Sequence, residues 1–130
     1  MDNERLERLR AIQRRRKELI AEIDECTRLL RSNANDAALF YRRANAHRTK
    51  GDLIAAVCDY NRAVRINPAF AEAHFYKAIA CAALGNRYEE IKAHREFLAS
   101  AGNLGRAVLD RVQRRLSQLE SRDYSRRTAH

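Results

Sequence analysis

Residues 37–70 read AALFYRRANAHRTKGDLIAAVCDYNRAVRINPAF and predict two antiparallel helices joined by a tight turn. The preceding residues, SNAND at 32–36, favour helix caps, so the first helix should begin near residue 37. Gly51-Asp52 marks its C-terminal end and the turn. The second helix should run from residue 53 to 66, because Pro68 excludes the helical conformation at the residue before it.

The composition of the whole chain favours helices as well. The 130 residues contain one proline and four glycines, and 33% of them are charged. Such a chain is long enough for a single modest core, and it offers little turn chemistry for a sheet. We therefore predict an all-α protein.

Residues 37–70 carry aromatic or histidine residues, small residues and a proline at characteristic positions. These positions are Phe40, Ala44, His47, Ala56, Tyr60, Ala63 and Pro68. The pattern resembles the 34-residue tetratricopeptide repeat (TPR), although Arg43 stands where leucine is usual. The resemblance implies an α-solenoid of antiparallel helix pairs, in which each unit needs neighbours to bury its apolar face.

A second, divergent repeat is predicted at residues 71–104. A shift of 34 residues aligns Ala44 with Ala78 and Gly51 with Gly85. Glu90 falls on a small-residue position, and a local slip around Asn86 that turns Tyr88 inward would relieve this misfit. The register at residues 86–88 stays open on sequence alone.

Residues 1–36 predict one long amphipathic N-terminal helix. Apolar residues follow alternating steps of three and four along positions 9, 12, 16, 19, 23, 26 and 30, interrupted only by Arg16. The second half resembles the second helix of a degenerate repeat, so we expect the first half to project as an arm. The arm could fold back on its own domain, form a homodimer through an oligomerisation helix, capture a target, or contact a membrane surface through its basic run. The oligomerisation residues are Leu9, Ile12, Leu19 and Ile23.

Residues 105–120 predict an amphipathic capping helix, with apolar residues inside and arginines outside. Residues 121–130 read SRDYSRRTAH and lack apolar periodicity. We expect them to form a flexible basic tail.

The family resemblance also implies a site, because the first helices of successive TPRs line a concave groove that binds partner peptides or helices. The groove positions in this sequence are Tyr41, Arg42, Asn45, Arg48, Glu72, Phe75, Tyr76 and Ile79. The first repeat supplies a basic half and the second an apolar half. The groove could be covered by a foreign segment or by the chain itself, including a second copy.

The net charge of +9 keeps a second class of function open. Arginine-rich helices could associate with nucleic acid or with a membrane surface. No base-stacking aromatic residues alternate with the arginines, however, and no nucleic-acid reading motif is present. We therefore favour an interaction scaffold or adaptor over the nucleic-acid or membrane-surface alternative.

Enzymatic motifs are absent from the sequence. The four histidines and three cysteines show no metal-ligand spacing, and neither a nucleophile motif nor a phosphate-binding glycine loop occurs. We predict a non-enzymatic protein with no cofactor and no metal. With neither a secretory segment nor a membrane-spanning run, we expect it to be cytoplasmic.

Overall fold

The computed structural model describes residues 2–102 and 104–128, without the side chains of residues 123–125 and 128. In this part of the chain there are six helices and no strand, which confirms the all-α prediction. The helices are α1 (Asn3–Ser32), α2 (Ala37–Lys50), α3 (Leu53–Ile66), α4 (Ala71–Ala83), α5 (Arg87–Ser100) and α6 (Arg106–Thr128).

The helix ends follow from local chemistry. Asp36 caps α2 by accepting a hydrogen bond from the Leu39 amide at 3.2 Å. Gly51 ends α2 in the left-handed conformation, with φ of 96°, and the next amide, that of Asp52, bonds back to the His47 carbonyl at 2.8 Å. Gly85 has φ of 74° at the equivalent turn between α4 and α5.

Each helix packs against the next along the chain, and α2 also contacts α4. Among the described residues, the outer helices α1, α3 and α5 do not contact one another in this way. The inner pair is therefore closer together than the outer helices, and the array curves around α2 and α4.

Small residues allow this close packing. Ala44, Ala56 and Ala63 are fully buried, as are Ala73 and Ala78 of α4. Tyr60 is the largest side chain that is completely buried, and it packs against this alanine cluster. Without β-branched or long side chains at these positions, the backbones of neighbouring helices can approach each other.

Arg43 stands where leucine is usual in the repeat, and its charge is neutralised by a buried ion pair. Its guanidinium donates two hydrogen bonds to Asp59, at 2.8 and 2.9 Å, and a third to Thr27 of α1 at 3.1 Å. Asp59 is only 2% exposed. The pKa of Arg43 is raised by its hydrogen bond to Asp59, although burial opposes the shift.

Glu90 stays at its buried position in the second repeat, and the slip suggested by the sequence does not occur. Tyr88 points outward, with 75% of its surface exposed. Arg115 of α6 donates two hydrogen bonds to Glu90, at 2.8 and 3.0 Å, and His94 Nε2 lies 3.0 Å from the same carboxylate. An ion pair with the next helix, rather than a change of register, accommodates the carboxylate.

The two halves of α1 have different surroundings. Residues 2–18 are exposed apart from a partly covered Leu6, whereas Leu19, Cys26 and Leu30 are buried against the repeats. The helix is about 45 Å long at the usual rise per residue, so its first half forms a projecting arm.

The last helix differs from the prediction of a capping helix at 105–120 and a flexible tail at 121–130. It continues to Thr128, and residues 129–130 lie outside the described part of the chain. Apolar periodicity is needed to dock a helix but not to extend one, because each added residue of an existing helix gains a backbone hydrogen bond. Val112, Leu116 and Leu119 dock α6 onto α5, and the extension beyond them requires no further docking.

Candidate protein-binding groove

The inner surface of the array is built on α2 and α4. The structure brings together five of the eight predicted groove residues in one continuous set of contacts. These residues are Tyr41, Asn45, Arg48, Phe75 and Tyr76.

The buried hydroxyl of Tyr60 holds the polar part of this set in place. It donates a hydrogen bond to Asn45 Oδ1 at 2.5 Å and accepts one from Arg48 Nε at 3.1 Å. Burial raises the pKa of Tyr60, which keeps the hydroxyl protonated and able to donate. Asn45 and Arg48 are thus oriented before any ligand arrives.

Arg48 also joins the polar part to the aromatic part. Its guanidinium carbon lies 4.6 Å from the centre of the Tyr76 ring, within the range of a cation–π interaction. The arginine is only partly buried, so some of its donors remain available at the surface.

The aromatic rings form a chain across the two helices. Tyr41 packs on Phe70 at 4.8 Å and on Tyr76 at 6.3 Å between ring centres. Phe75 meets Tyr76 edge to face at 5.2 Å and Phe97 of α5 at 5.3 Å. Phe97 is buried, whereas Tyr41, Phe75 and Tyr76 are partly exposed. Such rigid rings can bury apolar side chains of a partner at low entropic cost.

The other three predicted residues lie differently. Arg42 turns towards α1 and pairs with Glu22, with 2.8 Å between Nη2 and Oε1, and this hydrogen bond raises the pKa of Arg42. Glu72 and Ile79 are exposed on α4, Ile79 with 42% of its surface. The groove therefore has a fixed aromatic centre, with an exposed isoleucine and glutamate on the α4 side.

The sequence reasoning missed three residues that shape this surface: Glu22, Tyr60 as a hydrogen-bonding group, and Phe70. The role of Tyr60 could have been inferred, because the hydroxyl of a buried tyrosine requires a hydrogen-bond partner. Glu22 had no such signal, because its pairing with Arg42 depends on how α1 crosses α2.

The predicted oligomerisation residues separate into two pairs. Leu19 is buried and Ile23 is partly buried within the chain's own fold. Leu9 and Ile12, by contrast, are 45% and 64% exposed on the arm. Only the second pair is free to meet another molecule.

The histidines at ring positions pack inside the fold. His47 Nε2 lies 3.8 Å from Asp59, and burial lowers the pKa of the imidazole below its ordinary value. Over residues 2–102 and 104–128, no group of three His, Cys, Asp or Glu side chains is arranged to hold a metal ion. No helix in those ranges is long and apolar enough to cross a membrane.

Comparison with known proteins identifies the architecture. The type III secretion translocator chaperone SycD of Yersinia enterocolitica superposes with a TM-score of 0.73 at 14% identity, over 95% of this chain and 89% of that one. The TPR domain of Sgt2 from Aspergillus fumigatus gives 0.70 at 22% identity, over 88% and 75% of the two chains. The chain therefore has a TPR-like fold of helical repeats.

Two further proteins are similar to this chain, one in structure and one in sequence. PcrH, solved in complex with the chaperone-binding region of PopD, gives a TM-score of 0.72 at 17% identity, over 95% of this chain and 96% of that one. An uncharacterized protein of Methanocaldococcus jannaschii is 37% identical over 60 residues, which span 46% of this chain and 69% of that protein. No family model matches the sequence.

Proposed function

We propose that this TPR-like protein is a non-enzymatic scaffold that binds a peptide or helix of another protein in its concave groove. The observation that carries the proposal is the partly exposed aromatic chain of Tyr41, Tyr76 and Phe75, with Arg48 held over one of its rings. Exposed apolar surface of this kind, next to oriented polar groups, is typical of a protein-binding site.

The fold likeness to PcrH supports the same proposal, since that protein was solved with a segment of PopD. In our proposal the partner inserts an apolar side chain against Phe75 and Tyr76. It places a carbonyl or carboxylate near Arg48, whose planar guanidinium suits such oxygens. Binding of a second copy of the chain remains an outcome that the experiment must separate.

Site-specific photo-crosslinking in cells tests the location of the site. Ile79 is replaced by p-benzoylphenylalanine on the α4 side of the groove, and Ile54, which is 71% exposed on α3, serves as the matched control. We expect adducts above the 15.0 kDa of the chain from position 79 and none from position 54. Mass spectrometry of the adduct then separates a foreign protein from a second copy.

A second substitution makes the test specific to the aromatic centre. Tyr76→Ala should lower the position-79 adduct at least tenfold, whereas Tyr76→Phe, which retains a ring beneath Arg48, should preserve it. Equal adducts from positions 79 and 54 would place the partner elsewhere and refute the groove.

A further inference from the structure

The two repeats can be compared position by position, because α5 repeats the bounds of α3 with a shift of 34 residues. Four positions on the two helices of each repeat differ in chemistry. Phe40, Arg43, Asp59 and Arg62 of the first repeat correspond to His74, Lys77, Ala93 and Glu96 of the second.

In the first repeat these residues form a closed network. The Phe40 ring lies 5.5 Å from the guanidinium carbon of Arg43 and 5.8 Å from that of Arg62. Both arginines donate to the buried carboxylate of Asp59. A carboxylate supplied by the chain thus satisfies the buried cation at position 43.

In the second repeat an open cleft of about 740 Å³ lies between α3, α4 and α5. His74 and Lys77 of α4 line it, and their side chains are only 4% and 5% exposed. His74 Nε2 donates to the Pro68 carbonyl at 2.8 Å, so the imidazole is drawn towards the α3–α4 connection. The residues that line this cleft are different from those of the groove.

The positive charge of Lys77 has a carboxylate nearby but no hydrogen bond to it. Its one charged partner in the described chain is Glu89, with 3.6 Å between Nζ and Oε2, which is longer than a hydrogen bond. The ammonium group has three donors, and the side chain lines the open cleft, where a ligand can reach them. Ala93, at the position of Asp59, has no group to offer.

We propose that this cleft binds a carboxylate, from an acidic residue of a peptide or from a small organic acid, with Lys77 as the recognising group. The ligand supplies the group that Asp59 supplies in the first repeat. Arg65 and Lys92 line the same cleft and add positive charge. Glu96 lies 3.1 Å from His74 Nδ1 and Glu89 lies near Lys77, so these two carboxylates offset part of that charge and favour a singly charged ligand over a doubly charged phosphate. Val64 and Ala99 provide apolar wall for the rest of the ligand.

Nuclear magnetic resonance titration of the full chain tests the proposal. The probes are the peptide acetyl-Ala-Asp-Ala-amide, its Asn isostere, and sodium acetate, and the reporters are the Lys77 ammonium and the Ala93 amide. We expect saturable shifts with the Asp peptide and at least tenfold weaker binding of the Asn peptide. Equal binding of the two peptides would overturn the proposal. Matching shifts with acetate would indicate that a free acid suffices, whereas their absence would indicate a peptide.

Two variants of residues that line the cleft test its role directly. His74→Phe places the ring of Phe40 in the cleft, and Lys77→Met removes the charge while keeping an unbranched side chain of similar length. Each should abolish the shifts, and circular dichroism checks that each variant is folded. Retained binding in a folded variant of either kind would refute the role of the cleft.

The groove variant Tyr76→Ala should leave the titration unchanged, which keeps this site distinct from the proposed function. Inorganic phosphate that binds more tightly than the Asp peptide would overturn the choice of carboxylate.

Discussion

Two charges interrupt the apolar repeat pattern, and each has an oppositely charged partner: Arg43 pairs with the buried Asp59, and the buried Glu90 pairs with Arg115. Asp59 accepts hydrogen bonds from Arg43 and Arg62, and Glu90 from Arg115. Removing one partner of such a pair leaves an uncompensated charge inside the protein, which is more costly than replacing both partners by apolar residues.

Asp59→Asn should therefore lower the free energy of unfolding by about 3–5 kcal/mol, because Arg43 stays buried without its counter-ion. Equilibrium unfolding in urea measures the change. The double variant Arg43→Leu with Asp59→Ala, which restores the usual leucine, should recover most of the loss.

The exposed pair of Glu25 and Arg28 provides the matched control for this experiment. Glu25→Gln should leave the urea midpoint unchanged, since solvent screens surface ion pairs. If Asp59→Asn cost no more than this control, the buried pair would not contribute to stability.

At the residue scale, the sequence identified the two residues that depart from the repeat pattern but did not reveal how the fold accommodates them. Arg43 and Glu90 stand out as misfits in the repeat pattern, but their partners lie on other helices. The pairing of Glu90 with Arg115 depends on the angle at which α6 crosses α5, and one sequence does not determine that angle.

At the scale of elements, α6 is docked by three buried apolar residues and by ion pairs to α5. Glu90 is the buried end of one pair, and Arg95 with Glu120 forms the other at 2.9 Å near the surface. Burial raises the pKa of Glu90, but its hydrogen bonds with Arg115 and His94 outweigh burial and leave the pKa below its ordinary value.

Arg115→Ala should loosen α6 and lower the free energy of unfolding by about 2 kcal/mol, the typical contribution of hydrogen bonds to a charged group. Hydrogen exchange should rise most in α6. Because the folded pKa of Glu90 is depressed, its contribution is complete above pH 4.5 and is lost as the pH falls through the folded pKa. The difference between wild type and variant should therefore shrink below pH 4.5.

Arg114→Ala is the control, since Arg114 is the neighbouring arginine on the exposed face of the same helix. It should change stability by less than about 0.5 kcal/mol. A loss for Arg114→Ala that matched the loss for Arg115→Ala would attribute the effect to helix propensity rather than to Glu90.

At the scale of the whole molecule, the periodicity predicted the helices far better than the surfaces between them. Gly51 and Pro68 determine helix ends through local backbone chemistry, so the bounds of α2 and α3 could be inferred from sequence. The pairing of Arg42 with Glu22 of α1 could not, because it depends on contacts between distant segments. The cleft at Lys77 could not be predicted from the sequence either, because residues of three different helices form it.

The exposed arm of α1 leads to a prediction about assembly. Leu9 and Ile12 leave about half or more of their apolar surface exposed, and pairing with the arm of a second copy would cover it. We expect light scattering to give about twice 15.0 kDa for the full chain, and the mass of a single shortened chain, which is below 15.0 kDa, for a chain lacking residues 1–18. The deletion stops before Leu19, which is buried against the repeats, so the repeats should remain folded.

Salt distinguishes the two ways in which the arms could pair. A parallel pair places Arg14, Arg15, Arg16 and Lys17 of one copy beside the same residues of the other, and only Arg15 of these has an ion pair in the described chain. Added salt screens that repulsion and should strengthen a parallel dimer, whereas an antiparallel pair separates the two basic runs and should respond little. The double variant Leu9→Asp with Ile12→Asp should be monomeric at every salt concentration, because each arm would then place carboxylates at the contact. If the full chain is strictly monomeric at high concentration, the arm does not pair with a second copy.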